Sequence, residues 1–215
     1  MTETDPELPV LDVAGLVDSG GQTYTFSLAR GEAVALLAPG GSGKRWLLRV
    51  VAGLRSPGSG SVRSRAERSA YVFSSGGLLS NVSVLENLVL PLRFCGVPLR
   101  EARSRAMDVL TGLGLVELAE LRPPGLAADA LHLIQFGRAM ALRADLLFLE
   151  EPFRYLPAAT ADEVAAWLRD ELERRRVSVV LTTPDPHDAE RLGARVVRVG
   201  GEGGTARAFA AAEGR

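Results

Sequence analysis

Lysine is all but absent from this chain: of its 25 basic residues, Lys44 alone is not an arginine. Cysteine is as scarce. Cys95 stands by itself, which excludes an intramolecular disulfide and suits a reducing cytosol, where a small core residue is the plain expectation for it. Excess charge is missing too, and a formal net charge of −1 gives no electrostatic footprint for nucleic acid, so no such partner is expected. No apolar run approaches the ~18 residues of a membrane span, and the polar start Met1-Thr-Glu-Thr-Asp5 does not read as a secretory signal. What remains is a chain of 215 residues, 47% hydrophobic and 24% charged, ordinary for an α/β protein with a substantial core.

The lone lysine sits in the most informative stretch, Val34 to Arg49. An apolar run reads as a buried parallel strand, breaks into Pro39-Gly40-Gly41-Ser42-Gly43-Lys44, and enters a periodic segment with Leu47, Leu48, Val51 and Leu54. Strand, glycine loop and helix in that order form a phosphate cradle, in which backbone N–H groups and the helix dipole converge on an anion. A compact ammonium suits that task. The pattern G-x-x-x-x-G-K-[ST] is nevertheless broken at both ends, by Ala38 and by Arg45. An arginine only donates, so it cannot ligate a cation. Trp46 follows, either as a core aromatic or as a wall that fills part of a nucleotide pocket.

Along the chain, residues 9–13 and 22–28 alternate as two strands joined by Asp18-Ser-Gly-Gly21. Gly58-Ser-Gly-Ser61 is a turn and Ser69–Phe73 a short strand. Pro98 opens a helix whose stripe is Ala102, Ala106, Leu110 and Leu113. Another helix runs over 132–142, and Asp145–Leu149 is an apolar strand ended by Glu150-Glu151-Pro152. Thr160-Ala-Asp-Glu163 reads as a capping box, and Arg174-Arg175-Arg176 as cations at the end of that helix. Strands over 177–181 and 195–199 follow. The alternation predicts a mostly parallel sheet with helices on both faces.

The order and spacing of these segments resemble the ATP-binding subunits of ABC transporters over nearly the whole chain, and most of all those of Mla/MCE-type bacterial lipid transporters. The resemblance is carried by the Val34–Arg49 loop, by Tyr71–Leu92, by Arg138–Leu142, by Leu146–Phe153 and by Pro186–Val196. It implies an α/β P-loop (RecA-like) parallel-sheet core over 1–74 and 139–215. An N-terminal antiparallel β subdomain and an inserted α-helical subdomain over 75–138 complete that one cassette. It also implies a membrane permease as partner, a homo- or heterodimer of ABC subunits, and a place on the cytoplasmic face of the membrane. With the sequence ending soon after Arg207-Ala-Phe209, the C-terminal latching extension of Mla-type relatives is expected to be missing.

The chemistry of the resembled family is expected only in part. Pro39, Gly40, Gly41, Ser42, Gly43, Lys44, Arg45 and Trp46 stand where nucleotide is held. Ser74 replaces the glutamine that senses metal and water. Leu126-Ala127-Ala128-Asp129-Ala130 replaces the signature that clamps the γ-phosphate across the dimer, and Pro184 replaces the switch histidine. Glu150 stands for the metal-binding aspartate, while Glu151 survives as a vestige of the catalytic glutamate. No aromatic near Val17–Ser19 is placed to stack adenine, and Tyr24 comes too late. Phosphoryl transfer depends on positioning and charge stabilisation, so these losses together predict weak ATP binding, no Mg²⁺ and a pseudo-ATPase. A divergent but active ATPase is the alternative.

Two replacements read as linked. Arg45 and Glu150 would fill the metal's place as an ion pair, with charged groups closer than ~6 Å. The segment with Gly76, Gly77, Leu78, Leu79 and Val82 stands where the family receives its permease, and also reads as ordinary subdomain core.

Overall fold

The computed structural model describes residues 8–175 and 177–200. Two sheets organise them. The first holds β1 (Leu11–Val17), β2 (Thr23–Leu28) and β4 (Ser61–Ser64) in the antiparallel order β2-β1-β4. The second is parallel, in the order β5-β6-β7-β3-β8, from β3 (Ala33–Leu37), β5 (Ser69–Val72), β6 (Leu146–Glu150), β7 (Ser178–Thr183) and β8 (Arg195–Arg198). Its central strands β6 and β7 are buried at every residue, as near-continuous apolar runs predict.

The helix α1 (Lys44–Val51) packs Leu47, Leu48, Val50 and Val51 between the two sheets, with Tyr24, Phe26, Leu36 and Val197. On the other face lie α4 (Ala128–Ala141), α5 (Ala158–Arg175) and α6 (Pro186–Arg191), which supply Phe136, Ala165, Leu168 and Ala189. A third apolar cluster joins α2 (Val84–Phe94), α3 (Leu99–Gly112) and α4 around Leu88, Leu92, Ala106, Leu110 and Ile134. This is the α/β arrangement with an antiparallel sheet and a helical subdomain that the sequence predicted.

Local expectations differ from the structure in four places. Ser61–Ser64 is a strand rather than the end of a turn, and α4 begins at Ala128, not near 132. Thr160 lies inside α5, which starts at Ala158, so Thr160-Ala-Asp-Glu163 is no capping box. Cys95 is exposed at the end of α2, beside the exposed Phe94, because the helix turns its last residues to solvent. Tyr24 is wholly buried and its hydroxyl donates to Asp18 at 2.7 Å, which removes it from any stacking role. Arg176, like the stretches around Met1–Asp5 and Arg207–Phe209, lies outside what is described.

Gly60 shows where the antiparallel sheet meets its bulged strand. Its φ is +77°, and a Cβ there would lie 2.3 Å from the Gly15 carbonyl oxygen. Gly60→Ala will therefore destabilise the protein by about 2–4 kcal/mol. Chemical unfolding followed by circular dichroism checks this, and a loss below about 1 kcal/mol contradicts the close approach.

Candidate functional site

The loop between β3 and α1 is built for an anion. Gly41 and Gly43 take φ of 79° and 85°, values that glycine alone adopts freely, and space is open around Gly40 and Gly41. Gly43 begins α1 without a side-chain cap, and no acidic residue lies in the helix's first turn. Its unsatisfied N–H groups thus face the loop. The Ser42 hydroxyl is buried with no partner among the described residues. A cavity of about 370 Å³ opens on one side, between Trp46, Ser42 and the turn at Asp18. Another of about 510 Å³ opens on the other, lined by Gly40, Lys44, Glu151, Pro184 and Asp185. The residues present fit a phosphate.

Lys44 is buried and engaged. Its Nζ donates to the Ala38 carbonyl at 2.8 Å and lies 3.3 Å from the Glu151 carboxylate. Glu151 also accepts from Arg154 at 2.7 Å, and it holds a φ of 46° just past β6. A non-glycine residue in that region stores strain of about 1–3 kcal/mol, the kind seen at working sites. Glu151 is thus tied to the loop lysine, where the sequence left it with nothing to act on.

Glu150 forms the second centre. Its carboxylate, 1% exposed, lies 3.5 Å from Arg45 and accepts from Arg49 at 2.9 Å, from the Tyr71 hydroxyl at 2.5 Å and from the Ser74 hydroxyl at 3.1 Å. The Arg45–Glu150 approach predicted from the loop is present. Arg49 is the nearer partner, and the sequence reading passed over it. Spacing was the available signal, since residues 45 and 49 share a helix face. Burial alone would raise the Glu150 pKa; the bonds from Tyr71, Arg49 and Ser74 outweigh it and hold the carboxyl below its ordinary value. Burial first, and then the contact with Glu150, pushes the Tyr71 hydroxyl far above its usual range.

The predicted residues separate into groups. Lys44, Arg45, Glu150, Glu151, Ser74 and Pro184 converge around the loop. Trp46 is half-buried against the core and also lines the Asp18-side cavity. Ala127, Ala128 and Asp129 start α4 instead. Asp129 is exposed and accepts from the adjacent Ala130 N–H, and Ala128 lines a different cleft with Gly76 and Leu78. Leu79 is half-exposed, and its backbone is held at both ends by buried Asn87, which the sequence gave no reason to single out. At this centre Arg45 presents a guanidinium, which only donates, and the Glu150 carboxylate is engaged by Arg49, Tyr71 and Ser74.

Comparison with known proteins agrees with this geometry. The ABC transporter family profile matches residues 22–154. The chain is 34% identical over 80% of its length to the sulfate/thiosulfate import ATP-binding protein CysA 1 of Rhizobium meliloti, of which it spans 54%. It is 33% identical over 86% of its length to the lipoprotein-releasing system ATP-binding protein LolD of Maricaulis maris, of which it spans 84%. The chain thus covers about half the length of the CysA relatives. Its fold superposes with a TM-score of 0.77 and 22% identity on the ATP-binding cassette MJ0796, solved as a dimer with ADP and Pi, over 88% of this chain and 94% of that one. With these matches and the phosphate loop in place, the chain belongs to the ABC transporter family.

Proposed function

We propose that this chain is the ATP-binding-cassette subunit of a membrane transporter, holding nucleotide weakly and without Mg²⁺ and not turning it over. The observation that carries the proposal is the saturated Glu150 carboxylate, with Arg49 at 2.9 Å and Arg45 at 3.5 Å. Two guanidinium groups supply the positive charge that a metal would bring, and they do so permanently. Ser74 supports the same reading: the position expected to sense metal and water donates instead to Glu150. When a nucleotide is bound it would supply the phosphates; Gly41, Gly43 and the Ser42 hydroxyl would hold them, and Lys44 would exchange its carbonyl partners for an anionic oxygen. Pro184 has neither side-chain donor nor backbone N–H to orient a water.

In this reading 1–74 and 139–215 form the nucleotide core, and 75–138 the helical subdomain. The stretch with Gly76, Gly77, Leu78, Leu79 and Val82 docks an integral permease, and the chain works as a homo- or heterodimer on the cytoplasmic face of the membrane. No helix among the described residues is long and apolar enough to cross that membrane. Transport of lipid by an Mla/MCE-type complex rests on the resemblance of Tyr71–Leu92. The coarser role rests on relatives named for import of sulfate and release of lipoproteins.

Titration with ATP, in MgCl₂ and again in EDTA, tests the proposal. The affinities are expected to agree within about threefold, because no site for the ion contributes, with phosphate release at background. A gain of about tenfold on adding Mg²⁺, or Mg²⁺-dependent turnover, would establish the active ATPase instead.

A further inference from the structure

A cleft of about 390 Å³ lies beside the phosphate-loop site and shares Ser74 with it, and two buried acceptors of its lining residues have no partner among the described residues. Its walls are the loop after β5 (Ser74, Gly76, Leu78), Pro123 and Pro124, the first turns of α4, and Tyr155. The lining is mainly apolar, and the volume falls within the range of small-molecule sites. His132 and Gln135 project into it from α4. They are 1% and 2% exposed.

The chemistry of the two acceptors is defined. His132 Nε2 lies 2.6 Å from the Pro152 carbonyl oxygen, which can only accept, so Nε2 carries the ring proton. Burial lowers the ring's pKa and keeps it neutral, which leaves Nδ1 as a bare acceptor. Nδ1 has no partner among the described residues, and neither does Gln135 Oε1. Edge-on packing of the ring against Phe136 and Tyr155, at 5.3 and 5.8 Å between centroids, fixes where Nδ1 points. Leaving such groups unmet is unfavourable, so an occupant that satisfies both gains more than its apolar contact.

Charge narrows the occupant further. The Arg138 guanidinium donates to the carbonyl of Gly77, which lies in sequence between the wall residues Gly76 and Leu78. A second cation would meet that charge, and an anion would meet two acceptor lone pairs. We infer that this cleft is a binding site for a neutral, largely apolar small molecule that carries two N–H donors. It takes one donor on His132 Nδ1 and the other on Gln135 Oε1. The inference stands whether or not the chain hydrolyses ATP; since Gly76 and Leu78 also belong to the stretch proposed to dock the permease, it concerns the chain without that partner.

The full chain has two histidines, and the second, His187, is exposed on α6, so nitrogen-15 labelling of histidine gives a reporter and a built-in control. Phenylurea, a flat ring with paired N–H groups, is the probe. Titration is expected to move the His132 Nδ1 resonance saturably and to leave His187 still. Fully N-methylated phenylurea, with the ring but no N–H, is expected to bind at least about tenfold more weakly, and Gln135→Met to weaken phenylurea about fivefold. Equal binding of the methylated compound, a shift without saturation, or preference for benzoate over phenylurea would overturn the inference. The probe comparison uses the unaltered protein, so the conclusion does not hang on how Gln135→Met folds.

Discussion

Replacing Arg45 and Arg49 together by methionine will destabilise the fold by about 3 kcal/mol, the low end for stripping partners from a buried carboxylate, because both guanidiniums already touch water. Glu150 is 1% exposed, and after the change only Tyr71 and Ser74 among the described residues still donate to it. Arg45→Met alone will cost about 1 kcal/mol or less, since its guanidinium is half-exposed and sits at 3.5 Å. Most of the loss will follow Arg49. The pH dependence has a defined sign. The folded-state pKa of Glu150 is depressed below 4.5, so its stabilisation is complete above that value and is lost as pH falls towards the folded pKa. With both arginines gone, burial meets less opposition, the carboxyl titrates higher, and the loss of stability towards acid becomes shallower. Urea unfolding of wild type and variants at several acidic pH values reads all of this. A double variant within about 1 kcal/mol of wild type, with an unchanged acid limb, would mean that Glu150 does not depend on the guanidiniums.

How far this centre could be read beforehand depends on which residues are close along the chain. Arg45 and Glu150 come from two motif frames that a phosphate loop forces together, so their approach was legible. Arg49 lies one turn beyond Arg45, and helix geometry alone places it on the same face. Tyr71 needed the sheet itself. It pairs with Phe148 across β5 and β6, and Glu150 stands two residues further on, on that same face of the sheet. Nothing in the sequence gives strand adjacency, so Tyr71 read as a strand residue and no more. Ser74 was legible as a departure from a pattern but not as a donor to Glu150. The errors in the elements share a cause, weak local signal. The exposed edge strand β4 has no alternating apolar face, and Ala127 offers α4 no capping side chain to mark its start. The orphaned acceptors of His132 and Gln135 depend on what does not surround them, which only the packed structure reveals.

The loop lysine is expected to give the largest change in ligand affinity. Lys44→Met will weaken ATP binding by about 10- to 100-fold, the value of a charge-assisted hydrogen bond to phosphate at a buried site. The remaining cations cannot stand in for it, because Arg45 and Arg49 are committed to Glu150 and Arg154 to Glu151. Glu151 makes the opposite prediction. Its carboxylate lies 3.3 Å from Lys44 Nζ, so an incoming phosphate must displace one anion to reach the ammonium and then sit near it. Glu151→Gln keeps the shape, removes that competitor and its repulsion, and is expected to tighten ATP binding about three- to tenfold at low salt, with the gain shrinking as salt screens it. The two variants together distinguish a phosphate held at this loop from a nucleotide held elsewhere. Calorimetric titration in EDTA is the measurement, so that no metal enters the comparison. Unchanged affinity in Lys44→Met, or weaker binding in Glu151→Gln, would show that the loop has kept its form without keeping its ligand.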